Sequence, residues 1–199
     1  MGRGKRAAAR LGAWLCFEDE AGQGLRPPKG RSWGRRGVTP VVKVSGGGSG
    51  TVMIAGLIAT KPGCMPRMIY RIRLRRNRKG ERKSFSEADY AALLDAANQQ
   101  LGGPIVVCWD NLNTHISAKM RTLIEARPWL TVIRLPAYAP ELNPVEAVWA
   151  HLKRSLANLA RKTLDELARL VKTRLKKMQY RPQLISGFIA KTRLDFKPP

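Results

Sequence analysis

The chain has 199 residues, of which 44% are hydrophobic, so it fits one domain with a real core and is not a chain that is disordered throughout. Its 37 Lys and Arg against 14 Asp and Glu give a formal net charge of +23, which favours a polyanionic partner without selecting one function. No apolar run is long enough to span a membrane and no signal peptide is evident, so we expect a cytosolic protein.

The first part of the chain is predicted to form strands. Apolar runs bounded by turn residues predict strands at 11–19, 38–44 and 51–59. Residues 22–37 are rich in Gly, Pro and Arg and predict a wide loop. The glycine run at 45–50 precedes a strand and no Lys-Ser/Thr pair follows it, so we interpret it as the turn of a hairpin and not as a phosphate loop.

Helices and strands alternate in the rest of the chain. Ser86, with Asp89 three residues later, predicts a capped helix that Gly102 ends. The elements that follow are a strand, a helix, a strand and two helices, at 104–110, 117–126, 131–135, 142–160 and from Thr163 onward. This order predicts an α/β fold with a mixed sheet of about five strands and helices on both of its faces.

Three acids stand where predicted elements end or begin. Asp19 closes the first strand, Asp110 closes the fourth, and Glu146 lies one turn into the helix after the fifth. Strand ends and helix starts are where an α/β sheet presents functional groups, and carboxylates are the ligands that Mg²⁺ and Mn²⁺ prefer. The pattern leaves other interpretations open: Glu146 could complete a capping box with Asn143, and Asp110 could be an ordinary strand-end acid.

The segments around these acids resemble a known family. WDNLNTH at 109–115 and LPAYAPELNPVEAVW at 135–149 are similar to the DDE transposases of the Tc/mariner superfamily, and most similar to the bacterial insertion-sequence branch called DDE superfamily endonuclease. FEDEAG at 17–22 resembles the first acidic motif of that family, and RSWGRRGVTP at 31–40 resembles a further segment. The resemblance covers about residues 11–194 and only the catalytic part of the family's proteins.

The resemblance implies a ribonuclease H-like fold and a metal-dependent reaction on DNA. Asp19, Asp110 and Glu146 would be catalytic and would bind two Mg²⁺ or Mn²⁺ ions. The enzyme would nick DNA at the ends of an insertion sequence, and the released 3′-hydroxyl would then attack target DNA. Glu18 and Glu20 flank the first acid, and strand alternation places both of them on the face opposite Asp19.

Two further residues belong to the second acidic motif. Asn111 and His115 repeat the family's DNxxxH pattern. Each is either a structural hydrogen-bonding residue or a group that orients a ligand acid. Trp33 and Trp149 are interpreted as packing residues rather than as residues that stack on bases.

Basic segments are candidates for DNA contact. Residues 71–83 hold eight Lys or Arg and one acid, and they form either a solvated hairpin or a contact strip for the DNA backbone. The basic residues that follow Glu146 on the same helix are likewise either solvated or in contact with DNA. The candidate contacts are Arg73, Arg75, Arg76, Arg78, Lys79, Lys153 and Arg154.

We expect three parts: a basic flexible tail at 1–10, the catalytic domain at 11–160, and a C-terminal helix and tail at 161–199 packed on it. Complete relatives carry a helix-turn-helix region that recognises the transposon ends, and the first acid at residue 19 leaves no room for it. The expected partners are transposon-end and target DNA, a second copy in a homodimer and a separate helix-turn-helix subunit, in the nucleoid of a bacterial cytoplasm. The alternatives are a DNA-binding remnant without catalysis and a ribonuclease on the same fold.

Overall fold

The computed structural model describes residues 2–41, 43, 49–136 and 139–192. Its elements, in chain order, are α1 (Gly2–Leu11), β1 (Trp14–Gly24), β2 (Thr51–Thr60), β3 (Arg67–Arg75), α2 (Glu87–Leu101), β4 (Ile105–Trp109), α3 (Asn113–Ile116), α4 (Ala118–Glu125), β5 (Leu130–Arg134), α5 (Val145–Leu156), α6 (Leu164–Gln179) and α7 (Pro182–Ala190). No helix among the described residues has the length and apolar character needed to cross a membrane.

The five strands form one mixed sheet in the order β3-β2-β1-β4-β5. β1 pairs antiparallel with β2, which pairs antiparallel with β3, while β1, β4 and β5 run parallel to one another. The parallel register places Phe17 opposite Cys108, so β1 and β4 approach the same edge of the sheet. The mixed five-stranded sheet predicted from the sequence is confirmed.

Alternate residues of β1 face two separate hydrophobic cores. Phe17 belongs to the core that includes residues of α5, α6 and α7, and Cys16 belongs to the core that includes residues of α2 and α4. Because successive side chains of a strand point to opposite faces, Asp19 continues the first series, whereas Glu18 and Glu20 continue the second. The side chains of this short acidic motif therefore point to both faces of the sheet. Helices cover both faces, as predicted.

The predicted start and end of α2 are confirmed. The Ser86 hydroxyl accepts a hydrogen bond from the Asp89 backbone N–H at 3.3 Å, and the Asp89 carboxylate accepts one from the Ser86 N–H at 2.9 Å. Gly102 ends the helix with φ at 65°, a conformation that glycine adopts without steric strain. Thr163 caps α6 in the predicted way by accepting from the Glu166 N–H at 3.2 Å.

The prediction of a strand at 38–44 is wrong. The described residues 38–41 and 43 form no strand and are exposed, while residue 42 and residues 44–48 lie outside the described residues. Pro40 has no backbone N–H to donate to a ladder, which disfavours a strand there. The hairpin partner of β2 is instead β3, which is built from the start of the basic segment.

The two ends of the chain also differ from the prediction. Residues 1–10 are predicted to be a flexible tail and residue 11 to begin the first strand, but Gly2–Leu11 form α1. This helix packs on the sheet: a Cβ at Gly4 would lie 3.0 Å from Cys108 Sγ. Three consecutive alanines favour a helix there, and glycine allows the close approach. The C-terminal part contains a second helix, α7, which buries Ile185, Phe188 and Ile189, and residues 193–199 lie outside the described residues.

Candidate active site

Asp19 and Asp110 are adjacent at the carboxyl end of β4. β4 ends at Trp109, directly before Asp110, whereas Asp19 lies in the middle of β1, which continues to Gly24 and does not end at Asp19 as predicted. Phe17 pairs with Cys108 in the parallel ladder, and each Asp follows two residues after its member of that pair. Neighbouring strands run about 4.8 Å apart, so the backbones at the two acids are adjacent. The sheet therefore brings together two acids that are far apart in the sequence.

Asn143 fixes the start of α5 against β1. Its side-chain Nδ2 donates to the Glu18 carbonyl oxygen at 2.9 Å, and its Oδ1 accepts from the Val145 N–H at 3.1 Å. Both groups are buried, so these hydrogen bonds lie away from competing water. The side chain that the sequence suggests as a helix cap thus also ties the helix to the strand that carries Asp19.

Glu146 lies in the first turn of α5, close to Asp19. Trp149, three residues further along the helix, donates its Nε1–H to Asp19 Oδ2 at 2.8 Å. Residues three apart on a helix share one face, so Glu146 is on the side of α5 that meets Asp19. The Asn143 N–H donates to the Pro140 carbonyl at 2.9 Å, so Glu146 does not complete a capping box.

Asp19 is in an unfavourable electrostatic environment. Burial raises its pKa to about 6, and repulsion by Glu146 and Asp110 adds to the increase, while the hydrogen bond from Trp149 lowers it. No salt bridge among the described residues neutralises Asp19 or Glu146. A positive ion at this position would relieve both the burial of the charge and the repulsion.

Asp110 is held by two donors. Its Oδ1 accepts from the Leu112 N–H at 3.0 Å and lies 2.9 Å from His115 Nδ1. The hydrogen bond with His115 lowers the pKa of Asp110. Donation from this ring to the carboxylate requires the tautomer or charge form that has a hydrogen on Nδ1. His115, predicted as a structural or orienting residue, is buried and contacts this acid directly. Asn111 instead donates to the Leu135 carbonyl at 3.1 Å, which joins the ends of β4 and β5.

The acids that flank Asp19 face α2 and not α5. Burial raises the pKa of Glu18 well above its usual range, and burial followed by repulsion from Asp110 and Asp19 raises the pKa of Glu20 to about 7. The Tyr90 hydroxyl donates a hydrogen bond to Glu20. No role for Glu18 is predicted from the sequence, although a Glu directly after the apolar run WLCF is the signal that could have identified it.

The two tryptophans predicted to be packing residues have different environments. Trp149 is buried, and it is also the donor to Asp19, a role that its place in the motif did not reveal. Its ring fits because the neighbouring position on β2 is Gly56, where a Cβ would lie only 2.7 Å from Trp149 Cη2. The prediction for Trp33 is wrong, because this side chain is 100% exposed.

The predicted DNA contacts are spread along the edge strand and α5. Arg73 donates to the Ser84 carbonyl, and Arg76 forms a salt bridge with Asp165 at 2.9 Å. Lys153 and Arg154 are exposed in the last turn of α5, and the remaining candidates lie in β3 or in the exposed turn that follows it: Arg75, Arg78 and Lys79.

The donor set fits a divalent cation, although the acids do not already form a metal site. Within the described part of the chain, no three Asp, Glu, His or Cys side chains are grouped as the ligand shell of one ion. Asp19 faces Trp149 and Asp110 faces His115. The acids come from three elements that approach one another at the carboxyl end of β4, and they offer the hard oxygen ligands that Mg²⁺ and Mn²⁺ prefer.

Residues 14–168 match the family described as DDE superfamily endonuclease. Among solved structures, the chain is similar to a pre-cleavage Mos1 transpososome (TM-score 0.62, 16% identity, 98% of this chain and 60% of that chain). It is also similar to the mariner Mos1 paired end complex with Mg (0.60, 16%, 90% and 53%) and to the catalytic domain of Mos1 mariner transposase (0.54, 16%, 98% and 89%).

The chain spans about 60% of the length of the Mos1 chain in the transpososome and 89% of the isolated catalytic domain. No curated protein matches the sequence. At such low identity the structural likeness establishes the fold, and the family match covers most of the chain. The chain therefore belongs to the DDE superfamily endonuclease family, and its fold is that of the ribonuclease H-like catalytic part of a Tc/mariner-type DDE transposase.

Proposed function

We propose that this chain is the catalytic part of a transposase that cuts DNA at insertion-sequence ends and joins it to target DNA. Asp19, Asp110 and Glu146 are the catalytic acids. The single observation that carries this proposal is their arrangement: two adjacent strands and the first turn of α5 bring three carboxylates to one edge of the sheet. The solved Mos1 structures include transpososome and strand transfer complexes, which supports a DNA substrate.

The proposed cofactor is a pair of Mg²⁺ or Mn²⁺ ions held by the three acids, and Mos1 complexes are known with both metals. When bound, such a pair would supply activation of the attacking oxygen and stabilisation of the leaving oxygen. The chain's own contribution is to orient the ligands. Trp149 donates to Asp19 Oδ2 and the Glu20 backbone N–H donates to the same carboxylate. Leu112 and His115 hold Asp110 Oδ1, and no donor among the described residues occupies Asp110 Oδ2.

Plasmid nicking tests this proposal. Supercoiled DNA is incubated with Mn²⁺ and either the wild type, Asp19→Asn, Asp110→Asn or Glu146→Gln, each of which removes one carboxylate oxygen while keeping the size of the side chain. We expect each substitution to lower nicking by about 100-fold or more, since even outer groups around a metal contribute about 10–100-fold. Equal nicking by the wild type and the three variants would reject the proposal.

Glu20→Gln is the matched control, because Glu20 is an acid of the same motif that faces the opposite side of the sheet. It should retain most of the nicking activity. If instead Glu20→Gln is inactive and Asp19→Asn is active, Glu20 and not Asp19 is the first catalytic acid.

The alternative functions give different results in the same experiment. A DNA-binding remnant would bind duplex DNA in a salt-sensitive way, with no cleavage and no effect of removing the acids. A ribonuclease would cleave an RNA–DNA hybrid in preference to duplex DNA. We further propose a homodimer acting together with a separate helix-turn-helix subunit, which size measurement with and without transposon-end DNA would detect.

A further inference from the structure

Glu18 is a buried acid whose side chain has no hydrogen bond. The residue is 1% exposed, and neither carboxyl oxygen has a hydrogen-bond partner among the described residues. A buried polar group without partners destabilises the fold, so an apolar residue would suit this position better for stability alone. Its backbone carbonyl, by contrast, is well bound, since it accepts from Asn143 Nδ2 at 2.9 Å.

His115 lies between Glu18 and the second catalytic acid. Its Nε2 is 3.4 Å from Glu18 Oε2, and its Nδ1 is 2.9 Å from Asp110 Oδ1. The contact with Glu18 is not aligned as a hydrogen bond, and His115 Nε2 has no hydrogen-bond partner among the described residues either. A movement of about half an ångström would bring the two groups within hydrogen-bond distance.

The plane of the His115 ring is fixed by aromatic neighbours. Trp109 stacks on it with 4.2 Å between the centroids and 5° between the planes, and Tyr90 meets it edge-on at 4.6 Å. Stacking leaves the ring free only to turn within its plane or to flip over. Polar groups at both nitrogens are therefore needed to select the orientation in which Nδ1 faces Asp110.

We propose that Glu18 is a positioning residue: its carboxyl holds the His115 ring so that the Nδ1–H orients Asp110. Asp110 Oδ1 then accepts from both His115 and Leu112, which leaves Oδ2 available to a cation. Around protein metal sites, carboxylates commonly orient histidine ligands, and ligating carboxylates are themselves held by hydrogen bonds from neighbouring groups. The part of this inference that concerns metal affinity rests on the proposed function.

The test compares Glu18→Met, which replaces the carboxyl by an apolar group of similar length, with Glu18→Gln, which keeps a polar partner for His115 Nε2. Three quantities are measured on the full chain: the melting temperature, the dissociation constant for Mn²⁺, and the ¹⁵N spectrum of the imidazoles. The chain has two His, so a His151→Gln variant assigns both signals. Glu125→Met, on an exposed position of α4, is the matched control.

We expect Glu18→Met to melt at the same temperature as the wild type or higher, and to bind Mn²⁺ about tenfold or more weakly. Its His115 signals should move from the Nδ1–H form to an average of both tautomers. Glu18→Gln should restore most of the affinity and the wild-type spectrum, and Glu125→Met should change neither quantity.

The inference is overturned if Glu18→Met keeps the wild-type affinity and spectrum, or if it lowers only the melting temperature, as a purely structural residue would. Should Glu18→Met not fold, a Glu18→Gln protein that no longer shows the Nδ1–H signature would also overturn it. Absence of Mn²⁺ binding by the wild type, or unchanged binding by Asp110→Asn, would reject the proposed function instead. The imidazole spectrum needs no metal and decides the role of Glu18 even then.

Discussion

Asp19 is the residue at which the requirements of folding and of the proposed chemistry conflict. Its carboxyl is largely buried beside Glu146 and Asp110, and the hydrogen bonds from Trp149 and from the Glu20 backbone N–H offset only part of that penalty. Natural proteins tolerate such residues where function requires them, and replacing them commonly increases stability. Burial also raises the pKa values of Glu18 and Glu20, so these two acids add to the unfavourable electrostatic environment around Asp19.

We therefore predict that Asp19→Asn stabilises the metal-free protein at neutral pH. The pKa of Asp19 rises from 3.8 to about 6 on folding, so the folded state resists its ionisation, and stability is lost as the pH rises through that window. Asn has the same shape, keeps an oxygen that accepts from Trp149, and carries no charge. The gain in unfolding free energy should be small below about pH 4 and reach about 3 kcal/mol above about pH 6.5.

Urea unfolding at a series of pH values, with a chelator present, measures this difference between the variant and the wild type. Glu166→Gln, in the first turn of α6, provides the comparison for removing an acid in general. A stabilisation by Asp19→Asn that is the same at every pH, or a destabilisation at pH 7, would contradict the electrostatic account.

At the scale of elements, the packing of α5 on β2 depends on one missing side chain. Gly56 pairs with Asp19 across β1 and β2, and the Trp149 ring occupies the space where a Cβ of residue 56 would be. Helix α5 can approach the sheet closely enough for Trp149 to reach Asp19 only because this position is glycine. The glycine at position 56 on β2 therefore helps to fix the position of Asp19 on β1.

We predict that Gly56→Ala destabilises the protein by about 1–3 kcal/mol, because the added methyl group overpacks the contact with Trp149. It should also lower the nicking rate, since displacing the indole removes the donor to Asp19. Gly187→Ala is the matched control: a Cβ at this position would meet no atom within 4 Å, and alanine in α7 should stabilise by about 0.5–1 kcal/mol. Unfolding free energies of the two variants check this, and equal effects at both positions would contradict the packing argument.

Elements with local signals were predictable, and elements that depend on distant partners were not. The Ser86 capping box, Gly102 and the Thr163 cap are made by residues within a few positions of each other, so the sequence alone predicted the ends of α2 and the start of α6. The segment 38–44 looked like a strand because it is apolar, but β-pairing needs a partner strand, and β2 pairs with β3 instead.

For the whole molecule, the net charge is +23, and basic residues lie at both ends of the sheet. The last residues of β1 and β3 lie at the same end of the sheet. The exposed turn that contains Arg78 and Lys79 follows β3 at this end. Arg67 and Arg10 lie at the opposite end, near the start of β1. Two positive charges can therefore be removed at either end of the sheet. Comparing the two variants separates the loss of a DNA contact from the general effect of lower charge.

We predict that replacing Arg78 and Lys79 together by alanine weakens duplex binding and lowers the slope of log K against log salt by about 0.9 for each phosphate that the protein no longer neutralises. Replacing Arg10 and Arg67, which removes the same charge at the opposite end, should leave the slope nearly unchanged. Binding titrations over a series of salt concentrations measure both slopes. Equal slopes for the two double variants would show that the turn after β3 is a solvated surface and not a contact strip.

The sequence by itself predicted most elements from α2 to α6, the three candidate acids and the family, because those are carried by local periodicity and by motifs whose residues stand next to one another. Only the tertiary structure showed what holds the acids: Trp149 on Asp19, His115 on Asp110, and Glu18 buried behind His115. Two of these interactions, Trp149 with Asp19 and His115 with Glu18, join residues that are distant along the chain. Their formation depends on sheet register and helix packing, which no local pattern specifies.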